Sequence, residues 1–98
     1  MEEKICHEAL CTELHARGIR FARERPVTVH YRRVAIPGQR IDLIVEACLV
    51  VELKAASRLD PAHDAQLLSY LRTTGLRLGL LLNFNDPTLR NGIRRIVP

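Results

Sequence analysis

The 98-residue sequence has no tryptophan and few aromatic residues of any kind, which make up 4% of the chain. Proteins that hold single-stranded nucleic acid by base stacking need a set of aromatic side chains, so a platform of that kind is not supported. No apolar run approaches the roughly 20 residues that a membrane-spanning helix requires. The sequence therefore favours a small globular protein with no membrane partner.

Cysteine is also scarce. Cys6, Cys11 and Cys48 are odd in number and show no Cys-x-x-Cys spacing. Disulfide frameworks and structural zinc sites need paired or closely spaced cysteines, so we interpret these three as reduced thiols. The first residues, Met-Glu-Glu-Lys, are acidic and lead into no apolar segment, which argues against a signal peptide. These features predict a cytoplasmic protein.

Arginine, by contrast, is abundant. The formal net charge is +4 and the isoelectric point about 9.4, and of the 15 basic residues all but Lys4 and Lys54 are arginines. The planar guanidinium group matches phosphate oxygens, so this composition is compatible with a nucleic-acid partner. A GC-rich genome would produce the same bias without any functional meaning, and the composition alone leaves both explanations open.

Hydrophobic periodicity predicts a single α/β domain over residues 1–98. The predicted order is helix, strands, helix, strand and a short final strand, which suits a mixed, partly antiparallel sheet with helices packed on it. The predicted elements are a helix over 2–17 with the apolar stripe Ile5, Ala9, Leu10 and Leu14, loose strands at 19–24 and 27–34 around Pro26, a turn at Pro37-Gly38, strands at 40–46 and 48–54, a helix from Asp60-Pro61 to Thr74, a strand over 76–84, a helical turn over 86–92, and an edge strand over 93–97.

The central strand, Cys48 to Ala55, carries Glu52 and Lys54 within an otherwise apolar run. Side chains alternate along a strand, so these two charged residues share one face with Val50. Burying charge is costly unless the group is paired or binds a metal. Glu52 and Lys54 therefore either pair with each other at a sheet edge or belong to a site.

The neighbouring elements favour a site. Asp42 is the acid in the preceding apolar strand, and Gln66 and Tyr70 are four residues apart on the following helix, where they share a stripe. With Glu52 and Lys54 they form the pattern Asp, Glu-x-Lys, Gln-x-x-x-Tyr. The pattern as a whole is far more specific than any of its parts.

This pattern resembles the PD-(D/E)XK nuclease superfamily and, within it, the small GxxExxY protein family. The resemblance covers nearly the whole chain and implies an αβββαβ core, in which a mixed central sheet is flanked by helices. In the Gly-x-x-Glu-x-x-Tyr signature, Glu3 falls on the Glu, but Cys6 stands where the Tyr belongs and the Gly would precede Met1. The expectation is a nuclease-like domain that lacks the family's leading segment.

The resemblance also implies the chemistry. Asp42, Glu52, Lys54, Gln66 and Tyr70 would form the catalytic set, and Asp42 and Glu52 would bind Mg²⁺ or Mn²⁺, with Glu3 as a further ligand from the first helix. Asp42 can face Glu52 only if a three-residue loop joins the two strands and pairs Val45 with Leu49, or if an equivalent bulge occurs, because a two-residue turn would place the acids on opposite faces.

The leading hypothesis is a metal-dependent nuclease that hydrolyses DNA phosphodiester bonds. The alternative is a non-catalytic nuclease-like module for binding or assembly. A soft-metal site at His7, Cys11 and His15, which follow helical spacing, is a weaker possibility because no fourth ligand is evident. The short final strand offers an open edge, so we expect a homodimer or a complex with another protein.

Overall fold

A computed structural model of the chain describes residues 3–85 and 91–98. The elements, in chain order, are α1 (Glu3–Ala16), β1 (Phe21–Tyr31), β2 (Val34–Val45), β3 (Leu49–Lys54), α2 (Pro61–Thr74), β4 (Leu78–Asn83) and β5 (Ile93–Ile96). Neither helix is long and apolar enough to cross a membrane, as far as the described residues extend. The predicted helical turn over 86–92 lies largely outside them.

The five strands form one mixed sheet in the order β1-β2-β3-β4-β5. Neighbouring strands are antiparallel except β3 and β4, which are parallel and are joined through α2. A parallel pair needs a crossover connection, and α2 supplies it. The predicted α/β order of elements, including the final edge strand β5, is confirmed.

Two apolar clusters, one on each side of the sheet, fix the helices. Val50 packs with Leu67, Tyr70 and Leu71 of α2, and Val51 packs with Cys11 of α1. Alternation along β3 thus sends successive side chains to opposite helices. Glu52 and Lys54, which alternate with Val51, consequently lie on the α2 side of the sheet.

The turn between β2 and β3 sets the register of the two strands. Val45 pairs with Leu49 and Ile44 with Val50, which leaves a three-residue loop, and the prediction made from the sequence is confirmed. Glu46 and Ala47 adopt left-handed φ angles of 52° and 57° in this loop. Non-glycine residues enter that region at a cost, which tertiary contacts have to offset here.

The predicted turn at Pro37-Gly38 is wrong. The chain reverses instead at Arg32 and Arg33, whose φ angles of 49° and 66° match the type I′ turn that suits the twist of a hairpin. Pro37 and Gly38 lie inside β2, where the pairing with β1 shifts between Val27 and Val29. A bulge needs a residue with permissive backbone, and Gly38, at φ 88°, provides it.

The predicted break at Pro26 is also wrong, because β1 runs without interruption through it. Pro26 pairs opposite Arg40, and β1 is the first strand of the sheet. An edge strand has one row of N–H groups that pair with no other strand, so a proline can stand there without removing a ladder bond. The two predicted strands are therefore one long strand.

The buried face of α1 differs from the predicted stripe. Cys6, His7 and Cys11 are buried, whereas Ile5 is 54% exposed. Leu10 and Leu14 do pack against the α1-side cluster, so the stripe is rotated by about one position. Because α1 has few apolar residues, the surface that it covers determines which of its faces is buried.

The limits of α2 agree with the prediction. The Asp60 side chain accepts a hydrogen bond from the Ala62 N–H, and His63 Nδ1 accepts one from the Asp60 N–H, so the two ends of a capping box are satisfied. Gly75, at φ 76°, ends the helix in a left-handed cap. His63, predicted on the same stripe as Gln66, is therefore occupied in capping.

Candidate active site

The two predicted acids lie on adjacent strands, and each accepts a backbone hydrogen bond from the other's strand. The Asp42 N–H donates to Glu52 Oε2 over 2.9 Å, and the Leu53 N–H donates to Asp42 Oδ2 over 2.8 Å. Regular pairing between β2 and β3 extends only to Leu43 and Val51, one step before this point. Two side-chain contacts thus replace the next rungs of the ladder, and both carboxylates are held at the place where the strands separate.

The strand β2 departs from a regular pleat at Asp42. Ile41 packs in the α2-side cluster and Leu43 in the α1-side cluster, although residues two apart on a flat strand share a face. Opposite Asp42, the strand β1 is also irregular, because Glu24 has a φ of 55°. The distortion of two adjacent strands at one level is typical of a functional site.

Glu52 is buried, with 2% of its surface exposed. Burial, and after it the negative charge of Asp42, raise the pKa of its carboxyl group to about 8, although the hydrogen bond from the Asp42 N–H and the Lys54 charge favour ionisation. Two carboxylates this close repel each other unless a proton or a cation lies between them. The arrangement is therefore suited to holding positive charge.

Lys54 ends β3 on the same face. Its Nζ donates a hydrogen bond to Gln66 Oε1 over 3.1 Å. Burial raises the pKa of the Tyr70 hydroxyl, and the charges of Glu52 and Asp42 act in the same direction. Tyr70 consequently keeps its proton at neutral pH, next to the acids.

The structure thus brings together the five predicted residues Asp42, Glu52, Lys54, Gln66 and Tyr70. The acids come from β2 and β3, the lysine from the end of β3, and the glutamine and tyrosine from one stripe of α2. The Glu-x-Lys spacing places acid and lysine on one face, and the parallel crossover brings α2 over it.

Glu3 is not part of this group. It lies exposed in the first turn of α1, and α1 packs on the opposite side of the sheet through Cys11. Within residues 3–85 and 91–98, no three side chains of the His, Cys, Asp or Glu type are placed to hold a metal ion together. In these residues, His7, Cys11 and His15 therefore do not form such a group, and Asp42 and Glu52 have no third ligand of these types.

Asn83 supports the site, and reasoning from the sequence missed it. It lies opposite Lys54 in the β3–β4 pairing and is 3% exposed. Its side chain donates to the Ala56 carbonyl over 3.1 Å and accepts from the Ala56 N–H over 3.2 Å, while the Phe84 N–H donates to the Lys54 carbonyl. These bonds fix the backbone that follows Lys54. The sequence did contain a signal for this role, because Asn83 is a single amide at the end of an apolar strand and a buried amide needs hydrogen-bond partners.

A second supporting contact joins β5 to α2. Arg94 donates from its guanidinium to Asp64 Oδ2 over 2.7 Å. Asp64 lies in the first turn of α2, two residues before Gln66. The contact anchors the part of the helix that carries Gln66, and a sequence pattern cannot reveal it because the two residues are 30 positions apart.

Comparison with known proteins agrees with this geometry. A family model of the PD-(D/E)XK nuclease superfamily matches residues 1–96, which include all five residues of the site. No curated protein and no solved structure shows significant similarity to the chain. The narrower assignment to the GxxExxY family is not confirmed. The chain belongs to the PD-(D/E)XK nuclease superfamily.

Proposed function

We propose that the chain is a metal-dependent nuclease that hydrolyses DNA phosphodiester bonds. The observation that carries this proposal is the meeting of Asp42 and Glu52 beside Lys54, whose ammonium group is held by Gln66. Membership of the nuclease superfamily supports the reaction class. The metal and the DNA substrate are inferences from the chemistry of the site.

The donor set fits Mg²⁺ or Mn²⁺. Mg²⁺ uses one or two protein carboxylates and completes its octahedron with water and substrate phosphate oxygens. Asp42 and Glu52 would hold the ion, and each already has one carboxylate oxygen fixed by a backbone N–H. When bound, the ion would supply Lewis-acid polarisation of the scissile phosphate.

Each remaining residue has a role in this scheme. Lys54 carries a positive charge close to the acids and would stabilise the negative charge that develops on the phosphate. Gln66 accepts a hydrogen bond from Lys54 and so restricts where the ammonium group lies. Tyr70, one helical turn after Gln66, keeps its proton next to the acids.

The alternative is a nuclease-like module that binds or assembles without catalysis. It is favoured by the small number of acids, since Asp42 and Glu52 have no third ligand of the His, Cys, Asp or Glu type among the residues described. Mg²⁺ uses one or two carboxylates, so this pair is enough to hold it but includes no further acid.

Cleavage of a mixture of supercoiled plasmid and single-stranded DNA, with Mg²⁺, Mn²⁺ or EDTA, tests the proposal. We expect metal-dependent cleavage that Lys54→Ala lowers by a factor of about 100 or more, as loss of an electrostatic stabiliser does. Lys4→Ala is the matched control, because Lys4 is the other lysine and is exposed on α1. Equal cleavage by the wild type and Lys54→Ala would contradict the proposed site, and no cleavage with either metal would favour the binding module.

A further inference from the structure

The strands β1 and β2 form a two-stranded ribbon that reaches beyond the candidate active site. The part from residue 25 to residue 41, called here the basic arm, reverses at Arg32 and Arg33. Val27 and Val29 anchor the basic arm by packing against the α2-side cluster. Most of its other side chains are exposed, so the basic arm is an attached ribbon with a free outer surface.

The basic arm concentrates the positive charge of the protein. It contains four arginines and no acidic residue, and this charge equals the formal net charge of +4 for the whole chain. The four are Arg25, Arg32, Arg33 and Arg40, and all are exposed. Within the described part of the chain, these four arginines form one salt bridge, which joins Arg40 to Glu24 at 4.0 Å. The rest of the described chain therefore leaves most of this positive charge without a counterion, and an anionic partner would neutralise it.

A groove links the basic arm to the candidate active site. A cavity of about 620 Å³ lies between the arm and α2, where Tyr31, Ser69 and Arg72 are among the lining residues. A second cavity of about 220 Å³ is lined by Ser69 together with Gln66 and Tyr70. Because Ser69 lines both cavities, the groove leads from the tip of the basic arm to Gln66, which accepts a hydrogen bond from Lys54.

We propose that the basic arm binds the phosphate backbone of duplex DNA and lies in its major groove. The major groove, about 12 Å wide, admits a two-stranded β-ribbon, whereas the deep and narrow major groove of A-form RNA does not. A single strand would need aromatic stacking, and Tyr31 is the one exposed aromatic residue in the described ranges. The inference rests on the proposed function only in that it brings DNA to the same site.

The length of the ribbon defines where the contacts fall. Arg33, in the turn before β2, precedes Asp42 of β2 by nine residues. At a rise of about 3.3 Å per residue the two are at most roughly 30 Å apart, which approaches one turn of B-DNA, about 34 Å. The tip of the basic arm would therefore contact phosphates about one turn away from the bond that is cut.

A second copy of the chain is the competing occupant of this surface. Tyr31 and Val34, at 63% and 60% exposed, give the tip an apolar patch that could pair with another copy. Two arms would then bring eight arginine side chains together without an acid on either arm, and like charges at short range repel. Charge therefore favours DNA over self-association at this surface.

The test measures binding without catalysis, by fluorescence anisotropy of labelled duplex DNA of about 30 base pairs in EDTA. The variant Arg32→Asn/Arg33→Gly removes both tip charges and introduces Asn-Gly, the preferred pair for a type I′ turn, so it should not harm the fold. We expect its Kd to rise about tenfold or more and the slope of log Kd against log salt to fall by about 2, one for each lost phosphate contact.

The matched control is Arg17→Ala/Arg77→Ala, which removes the same charge at exposed positions outside the basic arm. It should bind DNA with the salt slope of the wild type. An Arg32→Asn/Arg33→Gly variant that binds as the wild type does would overturn the inference, as would a wild type that prefers duplex RNA or single-stranded DNA of the same sequence. A tip variant that only converts a dimer to a monomer would assign the surface to the second copy instead.

The binding test and the cleavage test fail independently. Tight binding by a wild type that cleaves nothing would overturn the proposed nuclease and leave the basic arm supported. If the variant Arg32→Asn/Arg33→Gly cleaves and binds DNA as the wild type does, the role of the basic arm is overturned and the nuclease remains supported.

Discussion

Glu52 accepts a hydrogen bond from the backbone N–H of Asp42 at 2.9 Å, and Asp42 in turn accepts one from the residue that follows Glu52 at 2.8 Å. Each acid thereby fixes the strand of the other. The contacts orient both carboxylates and at the same time hold two strands together where their ladder ends. The site and the fold are consequently coupled, and a change in the charge of either acid should be visible in stability as well as in activity.

The first prediction concerns the pH dependence of stability. Because the pKa of Glu52 is about 8 in the folded protein and near 4.5 ordinarily, the folded protein keeps a proton that the unfolded chain has lost between these values. The free energy of unfolding should therefore fall as pH rises through this window, by up to about 1.4 kcal/mol per pH unit, and level off above it. Urea unfolding in EDTA across the window measures this slope.

Glu52→Gln isolates the contribution of that one group. It cannot ionise, so the difference in stability between Glu52→Gln and the wild type should grow in favour of the variant as pH rises. Glu13→Gln, on the exposed face of α1, is the control and should show no such trend. Parallel pH curves for the wild type and Glu52→Gln would mean that burial does not hold the proton on Glu52.

The second prediction concerns the metal. Asp42→Asn removes one of the two charges that we expect to hold Mg²⁺ or Mn²⁺, so binding measured by calorimetry should fall below detection. The Asn side chain can still accept the Leu53 N–H, which keeps the strands in place. Glu13→Gln again serves as the control for a lost surface carboxylate. Unchanged Mn²⁺ binding by Asp42→Asn would remove Asp42 from the metal site.

The third prediction concerns Asn83. Asn83→Ala leaves the Ala56 N–H and carbonyl without their side-chain partner in a partly buried place, which costs about 1–3 kcal/mol of stability. Cleavage should fall as well, because the backbone after Lys54 is no longer fixed. Asn85→Ala, at an exposed position, is the control. Asn83→Ala with the stability and activity of the wild type would show that the loop is held by other contacts.

The site could be predicted from the sequence because its residues depend on local rules. Glu52 and Lys54 share a face by strand alternation, and Gln66 and Tyr70 share a stripe by helical periodicity. The three-residue loop followed from the requirement that Asp42 face Glu52, and the pairing of Val45 with Leu49 bears it out. Asp60, Pro61 and Gly75 marked the ends of α2 for equally local reasons.

What the sequence did not reveal depends on the surroundings. Pro37-Gly38 carries a strong turn signal, but the bulge in β2 uses the same backbone freedom, and the turn formed at two arginines with no turn preference of their own. Pro26 breaks a central strand but not an edge strand, and sequence alone does not say which one it occupies. Glu3 fell on a family motif, yet only the packing of α1 determines which side of the sheet it reaches.

The fourth prediction concerns association through β5, the short strand at the far edge of the sheet. In the sheet described here, its outer edge pairs with no other strand, and Ile93 and Val97 are 44% and 58% exposed beside it. The other edge, β1, carries Pro26 and exposed arginines, which hinder pairing. We therefore propose a two-fold homodimer in which the β5 edges meet, since such dimers are the commonest closure of an open edge.

Light scattering at micromolar concentration should give about twice the monomer mass of 11.2 kDa. Ile93→Glu should shift the protein to the monomer, because two buried like charges would face each other across the two-fold axis. Tyr31→Glu is the control: it also replaces an exposed apolar residue, but at the other edge of the sheet, so it should leave the dimer intact. A well-folded wild type that stays monomeric would exclude the dimer. A dimer that Tyr31→Glu disrupts and Ile93→Glu does not would place the contact on the basic arm instead of on β5.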